Sequence, residues 1–350
     1  MTSRMENLPK RIGVAMSGGV DSSTAAWTLR ERGCEVAGFT MAHTGSDADA
    51  RNASAARAVC EHLGIAHHVI DLRDAFRALV ADYFCDAYFR GLTPNPCVVC
   101  NRTVKFGLFL DRILSMGYDA MATGHYARIA PRGGALFLTR AADLTKDQTY
   151  FLYRLTRDML KRIVFPNGEF TKARIRELAA GAGLPAQSAP ESQEACFVPK
   201  DYGAFVAERM PERVKQGRIV DEQGKLLGWH EGIHLYTVGQ RRGLGVAAPE
   251  PLYVLRLDAA ENQIVAAPAH RLFRSSLITR DNVFAAGPPA QPLRATVKIR
   301  YNAAPVPAVI EPRAKDEFEV LFDAPQRAVT PGQSAVFYDG DTLLGGGIIQ

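Results

Sequence analysis

Ile12 to Met16 is a short apolar run bounded by polar residues, the pattern of a buried strand. Ser17-Gly18-Gly19 interrupts it, and Ser23 to Arg32 then takes up helical spacing. The alternation repeats. Glu35 to Thr40, His67 to Ile70 and Tyr118 to Thr123 read as strands, and Asn52 to Leu63, Asp74 to Phe89 and Asn101 to Met116 as helices. Such alternation predicts an α/β fold with a parallel sheet wrapped by helices. Ligands of these sheets bind beyond the carboxyl ends of the strands. Three places qualify: the loop after Ala15, Met41 after the second strand, and Gly124-His125-Tyr126 after the fourth.

Thr171 to Ala180 is a further helix stopped by Gly181 and Gly183, and a polar loop from Pro185 to Pro199 follows. From about residue 206 the texture changes. Arg218 to Leu227 reads as a hairpin turning at Glu222-Gln223-Gly224, and Leu252 to Asp258 with Gln263 to Ala267 as another. Beyond 271 the helical patterns vanish. Alternating runs at Ala295 to Arg300, Glu317 to Phe322 and Ser334 to Tyr338, punctuated by Pro and Gly, predict a small antiparallel barrel. The expected division is 1–205, an α/β domain; 206–270, a small β-rich domain; and 271–350, the barrel.

The loop after the first strand carries the first chemistry. A strand feeds a tight turn and the turn feeds a helix N-terminus, where free N–H groups and the helix dipole suit a phosphate. Two adjacent glycines let the backbone approach an anion, and Ser17, Ser22 and Ser23 add hydroxyl donors. No Gly-Lys-Ser/Thr follows, so this is not a Walker loop. The string Ser-Gly-Gly-x-Asp-Ser resembles instead the pyrophosphatase (PP) loop of enzymes that split ATP into AMP and pyrophosphate.

Thr93-Pro94-Asn95-Pro96-Cys97-Val98-Val99-Cys100-Asn101 is the second unusual stretch. The prolines hold the backbone extended, and Asn101 can cap the helix that follows. Cys100 is thereby expected beside a helix N-terminus, which favours thiolate. A structural zinc half-site is the competing reading of Cys-x-x-Cys, but no second such pair occurs. Cys34 and Cys60 sit in apolar segments and read as core. Cys196 lies in a polar loop and could partner Cys100, since sulfur transfer needs one cysteine to carry sulfur and another to resolve the disulfide. Lys146-Asp147-Gln148 reads equally as a solvated helix start with Asp147 as cap. Gly239 to Gly245, with Arg241 and Arg242, suits phosphate contacts, and Lys298-Ile299-Arg300-Tyr301 sets bases beside an aromatic, as nucleic-acid binders do.

Composition narrows the classes. The chain has 350 residues, 47% apolar, enough for more than one core, and a formal net charge of +5. The pI of about 8.9 is compatible with a polyanionic partner. No run of 18 apolar residues spans a membrane, and Met1 to Lys10 has no signal-peptide core, so a cytoplasmic location is expected. Six cysteines are too sparse for a disulfide scaffold, which turns attention to catalytic, redox or metal roles.

Taken in order, the strings Ala15-Met16-Ser17-Gly18-Gly19-Val20-Asp21-Ser22, Thr93-Pro94-Asn95-Pro96 with Cys100-Asn101, Thr123-Gly124-His125-Tyr126, Lys146-Asp147-Gln148, Cys196-Phe197, Gly239 to Gly245 and Thr330 to Tyr338 resemble the tRNA-specific 2-thiouridylase family over nearly the whole chain. The resemblance implies a PP-loop domain of the adenine nucleotide alpha-hydrolase-like type, then a small central domain and a barrel. It implies ATP, with Mg2+, held by Ala15, Met16, Ser17, Gly18, Gly19, Val20, Asp21, Ser22, Met41 and Gly124. The substrate would be tRNA with a wobble uridine, adenylated at the C2 oxygen. A persulfide on Cys196, charged by a sulfur donor such as a cysteine desulfurase or relay protein, would supply sulfur. Cys100 would be the nucleophile that releases it and closes a disulfide with Cys196. Asn95, Pro96 and Cys97 would line the base, and His125, Lys146, Asp147, Gln148, Arg300, Tyr301 and Gln333 would contact tRNA.

One departure stands out. Some family members carry Asp where this chain has Cys97, with an acid/base role assigned. A thiol with a reference pKa of about 8.5 is a poor substitute for a carboxyl near 3.9. Cys97, Cys100 and Cys196 could instead hold an iron–sulfur cluster with one open iron. Two alternatives stay open. An amidating ligase of the same loop superfamily would need neither Cys100 and Cys196 nor a barrel, and a non-enzymatic RNA binder would need no phosphate loop.

Overall fold

The computed structural model describes Met5 and residues 7–185, 196–198, 201–314 and 316–350. Most of the polar loop expected at 185–199 therefore lies outside the described residues, but Cys196 is inside. The chain divides into two units. The first comprises Met1–Val80, Cys97–Cys196 and Asp339–Leu344, and the second Ala81–Pro96, Phe197–Tyr338 and Gly345–Gln350.

The first unit holds strands β1 (Arg11–Ala15), β2 (Glu35–Ala42), β3 (His67–Asp71), β4 (Ala120–Thr123), β5 (Arg128–Arg132), β6 (Ala135–Thr139) and β7 (Ile163–Val164). Five of them form a parallel sheet in the order β3-β2-β1-β4-β7. β1 and β4 are apolar almost throughout because helices cover both faces of such a sheet. Ile12, Val14, Ala120 and Ala122 are fully buried there with Leu29 of α1 (Val20–Glu31) and Val59 of α2 (Asp47–Leu63). The chain leaves β1 toward β2 and β3, then crosses back to place β4 on the other side of β1. The strand order reverses there, and the crevice at the carboxyl ends of β1 and β4 is where such sheets bind ligands.

Three readings of local structure change. β2 does not end at Thr40 but stays paired with β3 through Met41 and Ala42, so Met41 lies in the strand rather than after it. The helix expected from Asn101 begins at Pro96, runs as an α-helix to Cys100 and continues π-helically over Asn101–Phe109. Proline suits a helix start because its φ is already helical and its missing N–H has no partner to lose. The β5–β6 hairpin was not read from the sequence. Its turn, Gly133-Gly134, has both residues at positive φ, the conformation of tight hairpin turns.

The second unit contains α3 (Tyr202–Arg209), the strands β8 (Gly217–Val220), β9 (Leu226–His230), β10 (Leu252–Asp258), β11 (Gln263–Pro268), β12 (Phe273–Phe284), β13 (Leu293–Lys298), β14 (Val306–Ala314) and β15 (Glu317–Arg327), and the larger parts of β16 (Ser334–Asp339) and β17 (Thr342–Ile349). β8 to β11 make a four-stranded sheet, and both expected hairpins are present. β11 pairs parallel with β8, which makes the sheet mixed. β12 to β17 close into the expected barrel, since β12 pairs with β15 on one side and β17 on the other. Closure leaves no bare strand edge among the six. An aromatic cluster of Phe84, Tyr88, Phe89, Phe197 and Phe205 packs α3 against the helical residues 82–89.

Candidate active site

The turn after β1 is built for close approach. Gly18 has φ +77°, and a Cβ there would lie 2.5 Å from the Ala55 Cβ of α2, so only glycine fits. Gly19 caps α1 in an extended conformation without a side-chain bond. The first-turn amides of α1 thus have neither a side-chain cap nor an intrahelical acceptor, which is the geometry of an anion site. Ser17 and Ser22 hydroxyls lie 3.3 Å apart at the mouth. Ser22 and Ser23 depart from expectation. Both are buried, and their hydroxyls donate back to the Gly19 carbonyl at 3.1 and 2.9 Å, so they serve the turn and the helix start.

The loop after β4 presses on this turn. A Cβ on Gly124 would come within 2.7 Å of the Asp21 carbonyl carbon and the Ser22 amide. Asn167, fully buried, donates to the carbonyls of Asp21 at 2.9 Å and Gly124 at 3.2 Å and so ties the two loops together. The Asp21 carboxylate accepts from Lys172 Nζ at 2.8 Å on both oxygens and from the Tyr126 hydroxyl at 2.7 Å. Asp21 is therefore committed to protein partners. Tyr126 belongs to the loop expected at the ligand, but no bond to Asp21 is readable from the sequence, and neither Lys172 nor Asn167 is marked there as a partner of the turn. A lysine in the first turn of a helix, where the dipole disfavours a cation, was the one available signal.

A second cluster lies in the same unit. Cys97 and Cys196 are exposed and Cys100 half-buried, and all three are free thiols. The helix starts at Pro96, so Cys97 occupies its first turn and Cys100 sits a turn further in. The expected thiolate at Cys100 is not what the surroundings favour. Surrounding protein pushes its thiol up to about 12, against the pull of the Lys105 ammonium. The same opposition pushes Cys196 up to about 11 and raises Cys97. The resting thiols are neutral, and Lys105 is the nearby cation common to all three.

His43, two residues beyond Met41, meets this cluster. Its Nε2 lies 3.3 Å from Cys196 Sγ and its Nδ1 3.1 Å from the Met41 carbonyl. Asp49 holds the loop, accepting from the amides of His43, Thr44 and Gly45 at 2.9–3.0 Å. Neither His43 nor Asp49 carried a sequence signal.

Among the described residues no group of three or more His, Cys, Asp or Glu side chains is placed to hold an ion. The Asp21 carboxylate is already matched by Lys172, and the three cysteines do not form a ligand set.

The comparisons bear on this pairing of a phosphate turn with cysteines. Residues 10–200 match the tRNA methyl transferase HUP domain, 203–268 the tRNA methyl transferase PRC-barrel domain, and 274–349 the aminomethyltransferase beta-barrel domain. The tRNA-specific 2-thiouridylase MnmA of Carboxydothermus hydrogenoformans is 46% identical over 97% of this chain and 98% of its own length. The chain belongs to the tRNA-specific 2-thiouridylase family. The thiouridylase of Trichlorobacter lovleyi is likewise 46% identical, over 97% of both chains. A solved 4-thiouridine synthetase–RNA complex with bound ATP is similar over 58% of this chain and 50% of that one, at 18% identity and a TM-score of 0.38.

In this member of the family the residues expected at tRNA fall into two groups. Lys146 is half-buried, and the half-buried His125 packs near Phe106 and Phe165 with Nδ1 2.7 Å from the Thr123 hydroxyl. Asp147 is buried and accepts from the Thr149 hydroxyl at 2.7 Å and the Ala141 amide at 3.1 Å. Gln148 accepts from the Tyr126 amide at 2.9 Å. These two hold the loop and leave Lys146 as its cationic residue. In the second unit, Gln333 donates to the Thr93 carbonyl at 2.8 Å, while the Pro331 carbonyl accepts from the Thr93 amide at 2.9 Å. The Thr330 to Gln333 string therefore docks the extended residues ahead of Asn95 and Pro96. Arg300 donates to the Arg327 carbonyl at 2.8 Å, and Lys298 stands over the Tyr301 ring at 5.4 Å.

Proposed function

We propose that this chain is an ATP-dependent tRNA 2-thiouridylase. One observation carries the reading: the carboxyl end of β2 holds Met41, expected against the nucleotide, and two residues later His43 meets Cys196. Activation and sulfur delivery are thus joined by one short loop. On this reading Ala15 to Ser22, Met41 and Gly124 hold ATP, with Asp21 keeping the turn in shape. Asn95, Pro96 and Cys97 receive the wobble uridine, whose place in a loop lowers the cost of unstacking it. His125, Lys146, Arg300 and Tyr301 contact tRNA, with Asp147, Gln148 and Gln333 acting through the loops they hold. The three domains are 1–205, 206–270 and 271–350.

The uridine C2 oxygen attacks the α-phosphate of ATP, pyrophosphate leaves, and the C2 oxygen becomes part of an AMP leaving group. The outer sulfur of a Cys196 persulfide attacks C2 and expels AMP. Cys100 then attacks the Cys196 sulfur, leaving the outer sulfur on C2 and closing a disulfide, which an external thiol reduces. A sulfur donor protein carrying a persulfide recharges Cys196. The test is pyrophosphate release measured with and without tRNA. Release that requires tRNA, together with 2-thiouridine in the product, is expected. Release without tRNA points to an amidating ligase, and no release under either condition to a plain RNA binder.

A further inference from the structure

We propose that His43 is the general base that takes the proton from the Cys196 thiol when this cysteine is loaded with sulfur, and that Asp49 supports it. The inference rests on the reading of Cys196 as the persulfide carrier. It starts from the hydrogen bonds of the imidazole. The Met41 carbonyl, 3.1 Å from Nδ1, can only accept, so Nδ1 carries the ring proton. In the neutral ring Nε2 then has its lone pair free, and Nε2 is the atom 3.3 Å from Cys196 Sγ. The thiol is the donor in that contact and the ring the acceptor, the arrangement of a nucleophile with its base.

The surroundings keep the ring ready to accept. Burial holds His43 below its usual range, with Lys105 acting the same way and the Met41 carbonyl and Asp49 opposing, so it is neutral at pH 7. Phe76 packs edge-on to the ring at 4.8 Å and fixes its plane. Once the ring takes a proton it needs a counter-charge. The Asp49 carboxylate lies 3.6 Å from Nδ1, and both side chains are nearly buried, at 11% and 13% exposure. Asp49 is itself held by three backbone amides and the Thr44 hydroxyl. Nucleophile, base and supporting carboxylate stand in the order of a Ser-His-Asp triad, with the Met41 carbonyl taking the hydrogen bond that orients the ring. Cys196 needs such help because its thiol is pushed up to about 11. An unassisted thiol of that kind is almost entirely protonated at pH 7.

The step balances. The Cys196 proton moves to His43 Nε2, and the sulfur attacks the outer sulfur of a donor persulfide, R–S–SH. A bond forms between Cys196 Sγ and that sulfur while the donor S–S bond breaks. The leaving thiolate, R–S−, takes the proton back from the imidazolium. The donor persulfide is reduced to a thiol and the Cys196 thiol is oxidised to a persulfide.

The experiment loads the full-length protein with glutathione persulfide at pH 7, without ATP or tRNA, and follows Cys196 persulfide by mass spectrometry. The His43→Ala protein is expected to load about 100-fold more slowly, the low end of general-base contributions. Added imidazole should restore much of the rate in that variant and leave wild type unchanged. Asp49→Asn should give a smaller loss. Loading of His43→Ala at the wild-type rate overturns the inference. So does slow loading that imidazole does not rescue, since that marks a purely structural role. Wild-type protein that never loads at Cys196 overturns the persulfide reading itself, and tRNA-dependent pyrophosphate release by the same preparation reports separately on adenylation.

Discussion

Lys172 Nζ sits 2.8 Å from both carboxylate oxygens of Asp21, pinning the first turn of α1 to a lysine 151 residues further along the chain. Lys172 is 6% exposed, so its ammonium has little water to fall back on if the carboxylate is removed. The Asp21 side chain is a third exposed, which tempers the loss. Asp21→Ala should destabilise the protein by about 1–3 kcal/mol, the cost of leaving a charged hydrogen-bonding group unmatched. It should also abolish tRNA-dependent pyrophosphate release. Lys172→Met should impair release as well, because the turn loses the same brace. Urea midpoints and a pyrophosphate assay check both, and full turnover in either variant would contradict this account of the turn.

The cysteines divide by task. Cys196→Ser and Cys100→Ser should each stop 2-thiouridine formation while tRNA-dependent pyrophosphate release continues. Cys97→Asp should keep thiolation, since Cys97 takes a position where some family members carry Asp. The deciding measurement is thiolation by rigorously iron-free Cys97→Asp protein supplied with a persulfide donor. A dead preparation beside an active iron-loaded wild type would favour a cluster on the three cysteines.

Burial of the Cys100 thiol has a consequence at alkaline pH. Its folded-state value, pushed up to about 12, lies above the ordinary value of about 9 that the unfolded chain shows. The unfolded chain therefore loses this proton first as pH rises. The contribution is full below pH 9 and is lost progressively between about 9 and 12. Removing the thiol should flatten that limb, so the difference in urea midpoint between wild type and Cys100→Ala should shift toward the variant from pH 8 to 11. A difference independent of pH would mean that the thiol is not held in its neutral form.

Association with tRNA should be largely electrostatic. Log affinity should fall linearly with log salt, and Lys146→Ala or Arg241→Ala should each flatten the slope by about 1 if the side chain meets a phosphate. Filter binding over a salt series measures this. An affinity indifferent to salt would remove the phosphate contacts assigned to these loops.

Much of this protein is legible in the sequence because the signals are local. A five-residue apolar run followed by Ser-Gly-Gly-Val-Asp-Ser reports a strand, a turn and a helix start from steric and hydrogen-bonding needs of adjacent residues. Alternation beyond residue 271 reports a barrel by the same local logic, and Cys97, Cys100 and Cys196 are visible as chemistry wherever they fold. Local evidence also misled at one point. Pro96 was read as holding the chain extended, yet proline serves equally as the first residue of a helix, and that choice moved Cys100 away from the helix N-terminus.

Which side chains meet was decided only by the tertiary structure. β1 and β4 are neighbours because the crossover returns to the other side of β1, and that places Gly124, Tyr126 and Asn167 on the turn at Gly18 to Ser22. His43 meets Cys196 across 153 residues, and Thr93 meets Gln333 across 240. No hydrophobic period or capping signal records a separation of that kind, since each such contact follows from strand order and packing rather than from neighbours along the chain. The same holds for charge. The sequence shows Lys105 as an ordinary cation on an expected helix and Asp49 as an ordinary acid ahead of one, and only their placement near a thiol and an imidazole makes them groups that act on whether Cys196 can lose its proton.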